Sequence, residues 1–66
     1  MQITINGRPR ALDHALNVTE LLSQLGYPDR GVAVAVDGVV VAKASWPSTI
    51  VTDSREIEIV TAVQGG

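Results

Sequence analysis

With 66 residues the chain has room for one domain and one modest core. The absence of cysteine excludes disulfides and thiolate metal sites, so stability must come from apolar packing, for which 45% hydrophobic residues, ten of them valine, are available. The formal charge is −2, and the five basic residues (Arg8, Arg10, Arg30, Lys43 and Arg55) are scattered, which excludes the basic patch of a nucleic-acid binder.

The first residues, Met1-Gln-Ile-Thr-Ile5, alternate apolar with polar and read as a half-buried strand. Asn6-Gly7 predicts a tight hairpin turn, because both residues tolerate positive φ. The return strand contains Pro9, which lacks an N–H and so belongs at a sheet edge, where Arg8 and Arg10 also discourage pairing with other chains. A helix is predicted after Asn17: Asn is a good N-cap, and Glu20 stands where its carboxylate reaches back to the cap's own N–H. Val18, Leu21, Leu22 and Leu25 then form one apolar stripe, with Thr19, Glu20, Ser23 and Gln24 on the wet face. Gly26 stops the helix and Pro28 prevents its resumption.

Val32-Ala-Val-Ala-Val36 predicts a strand with large and small residues on opposite faces. Asp37-Gly38 is a second hairpin turn, and Val39–Ala42 returns from it. Lys43–Ser48 reads as a loop or short helical turn in which Trp46 covers an open end of the core. Ile50-Val51 is ambiguous. Glu56–Val60 is a last strand, and the chain from Ala62 to Gly66 is expected to be a flexible tail. One helix among hairpin strands implies an α+β domain over residues 1–66: a mixed sheet of four to five strands with the helix packed on one face, and the last strand beside the first. This is the β-grasp, or ubiquitin-like, arrangement. Leu21, Leu22, Leu25, Ile3, Ile5, Ile57 and Ile59 are the expected core.

Side-chain catalysis is not indicated. His14 reads as a surface loop residue, Glu56 and Glu58 as one solvated strand face, and Asp29-Arg30-Gly31 as turn chemistry rather than a phosphate loop. No metal site is expected. No apolar run approaches a membrane span and no leader opens the chain, so a soluble, cytoplasmic protein without a membrane partner is expected. The unusual feature is the close, Val63-Gln64-Gly65-Gly66. Glycine costs the most entropy to order and buries no side chain, so a structural role for this pair is hard to find. A carboxylate carried on Gly-Gly can instead enter a narrow nucleotide site that bulkier residues would block.

Several of these motifs together resemble the ThiS family, the sulfur carriers of thiamine biosynthesis. The resemblance spans the whole chain: Val18-x-Glu20-Leu21-Leu22-x-x-Leu25, Ala33-Val34-Ala35-Val36-Asp37-Gly38, Trp46, Ile50-Val51 and the closing Gly65-Gly66. It departs at Asp53-Ser54-Arg55-Glu56, where the family often has an Asp-Gly-Asp turn, and at Val60, where an aromatic is common. The resemblance implies a protein co-substrate, not an enzyme, that binds no cofactor itself. A ubiquitin-activating-like adenylating enzyme of the ThiF type would adenylate Gly66 with ATP and magnesium. A persulfide, from a cysteine desulfurase or another donor, would then convert it to a thiocarboxylate, and thiazole synthase would accept the sulfur. Gln64 and Gly65 would enter the partners' active sites with it. Val39, Val41, Val60 and Ala62 are expected on the sheet face away from the helix, as a docking patch. Two alternatives share the terminal chemistry: a molybdopterin-synthase small subunit, and a ubiquitin-like protein modifier.

Overall fold

The computed structural model describes residues 1–62. Five strands form a mixed sheet in the order β2 (Arg8–Ala11), β1 (Gln2–Ile5), β7 (Glu56–Thr61), β4 (Val32–Val36), β5 (Val39–Val41), with β2 and β5 at its edges. Only β1 and β7 run parallel; the other neighbours are antiparallel. The longest strand, β7, is therefore central and Pro9 lies at an edge, as its missing N–H requires. Both hairpins turn through left-handed pairs, Asn6 and Gly7 at φ 52° and 81°, Asp37 and Gly38 at 50° and 83°.

Helix α1 (Val18–Leu25) lies across one face of the sheet. Its capping box is complete: Glu20 N–H donates to Asn17 Oδ1 at 2.7 Å, and Asn17 N–H donates to Glu20 Oε1 at 3.0 Å. At its other end Gly26 is left-handed (φ 83°). Gly26 N–H bonds Ser23 O and Tyr27 N–H bonds Leu22 O, the paired bonds of a Schellman stop.

The core extends beyond the expected residues. Ile3, Leu21, Leu22, Ile57 and Ile59 are buried, but so are Leu12, Leu16, Val18, Val34, Trp46 and Val51. Ile5 and Leu25 are only half-buried, because they border a cleft beside Arg8, Pro9 and Arg10 at the sheet's rim. Leu16 and Val51 owe their burial to a small second ladder, β3 (Leu16–Asn17) with β6 (Ile50–Val51), in which Leu16 pairs with Val51. Alternation there points Ile50 outward and Val51 inward, which settles the ambiguous segment. Lys43–Ser48 is a 3₁₀ helix that runs through Pro47, and its Trp46 closes the core's end with Nε1 donating to Val41 O at 3.0 Å.

Asn6 is more than a turn residue. Its side chain accepts from Ile59 N–H at 2.8 Å and donates to Ile59 O at 3.1 Å, so it continues the β1–β7 pairing past the end of β1. Replacing it by alanine leaves both backbone groups of a central strand unpaired and puts a Cβ without a local partner at positive φ. Asn6→Ala is expected to cost about 2–3 kcal/mol, and Asn6→Gly, which keeps the backbone geometry, somewhat less. Urea melts giving under about half a kilocalorie for both would show that these bonds add nothing beyond water.

The turn at Asp53–Arg55 has its own solution. Ser54 takes φ 69° where a glycine would be unstrained, held by its N–H on Gln2 O at 2.7 Å. Arg55 bridges to Asp37 at 2.7 Å, joining this turn to the β4–β5 turn. The Glu56 N–H bond and then Arg55 hold the Asp37 carboxyl below its usual range, and the Gln2 N–H does the same for Asp53. A depressed carboxyl favours the fold above its unfolded value and loses that contribution as pH falls through the folded one, so both turns weaken in acid.

Candidate functional site

The described chain ends where β7 leaves the centre of the sheet. Thr61 pairs with Val32, and the next residue, Ala62, donates its N–H to Gly31 O at 2.6 Å. Ala62, expected as the first residue of the tail, is thus tied to the α1–β4 loop. Gly31 has φ 70°, a conformation that other residues adopt only with strain, and its position fixes where the tail departs. Gln64, Gly65 and Gly66 lie outside the described residues. Four residues follow Ala62, enough chain to carry Gly66 about 13–14 Å from the body when extended.

The register corrects the expected docking patch. Val36 pairs with Val39 and Val34 with Val41. Val34 is 1% exposed beneath the helix. Val39 and Val41 therefore stand on the helix side, Val41 half-buried against the core and Val39 exposed at the rim. A two-residue loop pairs its flanking residues, so Val39 must share the face of Val36; counting outward from Asp37-Gly38 would have found this. The β5 residue on the open face is Val40, opposite Ala35. Val60 stands opposite Ala33 on that same face, and Ala62 follows by alternation. Val40 and Val60 are 74% and 63% exposed. Between them on β4 lie the small side chains of Ala33 and Ala35. Glu58, opposite Ala35, is a charged residue on this face, and Glu56 precedes it on the same side of β7.

The helix side offers less. A cleft between α1 and the 3₁₀ turn is lined by Leu22, Tyr27, Pro28, Trp46 and Pro47, with Lys43 and Asp29 at its margins and the Lys43 ammonium 6.0 Å from the Trp46 ring. Thr19 and Ser23 also line it. His14 is exposed in a loop, and no group of three metal-ligating side chains exists among the described residues. Nor, among the described residues, is any helix long and apolar enough to cross a membrane. Among the described residues, the apolar open face lies beside Ala62, from which the sequence continues to Gly65-Gly66.

Comparison with known proteins bears directly on that arrangement. The sequence model of the ThiS family matches residues 3–66. The chain belongs to the ThiS family. The sulfur carrier protein ThiS of Escherichia coli is 32% identical over 66 residues, covering 100% of both chains. A thiamine biosynthesis protein ThiS from Geobacter metallireducens has a solved crystal structure that superposes with a TM-score of 0.87 at 36% identity, again over 100% of both chains. A thiazole synthase of Paramagnetospirillum magneticum is 36% identical over 100% of this chain, which spans 20% of that protein's length. The fold is thus the ubiquitin-like β-grasp of the ThiS carriers, and the chain is a sulfur carrier of thiamine biosynthesis rather than a catalyst.

Proposed function

We propose that the carboxylate of Gly66 is the group that carries the sulfur. The observation that supports this most is the match of the ThiS family model through residue 66, which includes the closing Gly65-Gly66 that follows the central strand in sequence. In the first step a Gly66 carboxylate oxygen attacks the α-phosphorus of ATP, with pyrophosphate leaving, in the magnesium-dependent site of a ThiF-type adenylating enzyme. The outer sulfur of a persulfide, from a cysteine desulfurase or another donor, then attacks the acyl carbon and displaces AMP. Cleavage of the resulting S–S bond by a thiol leaves the thiocarboxylate. Thiazole synthase is the acceptor, a reading supported by the relative in which a region similar to this whole chain forms part of a thiazole synthase.

Gln64 and Gly65 enter the partner sites with Gly66. The rigid part of the docking surface is the open face around Val60 and Ala62, joined by Val40. Val39 and Val41, which stand on the other side of the sheet, are not included. The bond from Ala62 to Gly31 anchors the root of the tail, so a partner that docks on the body also sets the point from which Gly66 is presented.

The test is to incubate the protein with the adenylating enzyme, ATP, magnesium and a persulfide source. Intact mass should rise by the difference between sulfur and oxygen, and fragment spectra should place the change on Gly66. An amide-linked adduct on other proteins would favour the modifier reading instead.

A further inference from the structure

The open face does not have the composition of a surface made only for solubility, nor of one made to meet its own copy. Its centre is apolar, with Val40 and Val60 largely exposed on either side of Ala33 and Ala35. Its charges are of one sign. Alternation places Gln2 and Thr4 of β1, Pro9 and Ala11 of β2, and Glu56 and Glu58 of β7 on this face, while Arg8 and Arg10 pair with Ile5 and Ile3 on the helix side. Three of the chain's six other acids are already occupied. Glu20 caps the helix, Asp53 holds the Gln2 N–H, and Asp37 holds Arg55 and the Glu56 N–H. Glu58 stands instead on the central strand, with alanine rather than a basic residue directly opposite. The one ion pair among the described residues is Arg55–Asp37, so Glu58 has none. Glutamate is a poor strand former, and at this position nothing within the described chain offsets that disadvantage.

We infer that Glu58 is a specificity-determining residue for docking: it selects a partner whose apolar surface packs on Ala33, Ala35, Val40 and Val60 and carries a basic side chain opposite the carboxylate. Two copies packed face to face would set Glu58 near its own equivalent, and like charges in a closing interface oppose association. A basic partner turns the same charge into a directed contact, and a neutral or acidic surface is rejected because the carboxylate would be buried unpaired. The partner to which we assign this is thiazole synthase. That assignment rests on the carrier reading above and on the thiazole synthase that contains a region similar to this chain.

The experiment measures the Kd of the full-length chain for the thiazole synthase of the same organism by calorimetry, at about 0.05 M and about 0.5 M salt. The variants are Glu58→Gln, Glu58→Arg and, as a control of equal charge change on an exposed loop, Asp13→Arg. Circular dichroism and sedimentation check that each stays folded and monomeric. Glu58→Arg should raise Kd at low salt by about tenfold to a hundredfold, Glu58→Gln by less, and Asp13→Arg by no more than about threefold. Glu58→Gln should also lose part of the salt dependence of the unmodified protein. If Glu58→Arg binds within threefold of the unmodified chain, the inference is overturned. It is also overturned if Glu58→Gln only makes the protein self-associate, because the carboxylate then serves solubility alone. Failure of the unmodified chain to bind thiazole synthase at all removes the assigned partner. Loading of sulfur onto Gly66, measured separately by mass, would leave the carrier reading standing in each of these cases.

Discussion

Trp46→Ala is expected to lower stability by about 3–5 kcal/mol, in the range for removing a buried large aromatic. A 66-residue domain has only about 3–10 kcal/mol in total, so this one change should leave the protein partly or wholly unfolded at 37 °C. Trp46 is 4% exposed and is the one aromatic ring in the buried core. Its ring reaches from the 3₁₀ turn into the core formed by helix and sheet residues, so removing it leaves a cavity there. Its Nε1 hydrogen bond to Val41 O also ties the turn to the edge strand β5. Trp46→Phe keeps most of the ring and loses that bond, and should cost about 1–2 kcal/mol. Urea unfolding followed by circular dichroism reads both variants. A loss below about 1 kcal/mol for Trp46→Ala would mean that the 3₁₀ turn is not part of the cooperative core.

The fold was legible wherever local chemistry has one solution. Asn17 and Glu20 can form a capping box, Gly26 can take the left-handed stop, and Pro9 cannot sit inside a sheet; all three are found as those facts require. What the sequence did not show depends on partners distant along the chain. Leu16 and Val51 are buried because they meet each other across the β3–β6 ladder, and a two-residue strand has too few alternations to announce itself. Asn6 reads as a turn residue because that part of its role is local; its two bonds to Ile59 cross 53 positions. Ser54 replaces the expected glycine and keeps the left-handed conformation, at a strain that its bond to Gln2 helps to offset.

The candidate site shows the same division. That the glycines near the chain's end matter follows from composition, since glycine gives nothing to packing. Which face accompanies them is a question of register, and a shift by one residue moves every side chain to the other side. The sequence already contained the decisive clue in the two-residue Asp37-Gly38 loop. Reading β5 outward from it exchanges Val39 and Val41 for Val40 and leaves Val60 and Ala62 in place. Glu58 was legible as a surface residue but not as an acid set opposite alanine, because that neighbour comes from strand β4, more than twenty positions away.

Deleting Gly66 should abolish sulfur loading while leaving the fold and Tm nearly unchanged. The stability half follows from where the contacts stop. The last buried residue is Ile59, and the last described backbone bond is that of Ala62 to Gly31, so removing residue 66 takes away none of the described core or ladder. The activity half follows from reach. A carboxylate on Gly65 ends one residue early, at most about 3.5 Å short of the α-phosphorus. Misplacement by about an ångström already costs on the order of a hundredfold in rate. The chain could recover the distance only by pulling the docked face inward, which would break the contacts that position it. Substituting Gly65 with a bulky residue such as tryptophan should give a similar loss by blocking entry, again without a change in Tm. The two variants separate the causes: the truncation should still bind the adenylating enzyme through the sheet face, with kcat lost, whereas the bulky residue should also raise KM. Thiocarboxylate formation is read by intact mass, pyrophosphate release reports the adenylation step, and thermal melts report the fold. Normal conversion of the truncated chain would sink the assignment of Gly66 as the group that carries sulfur.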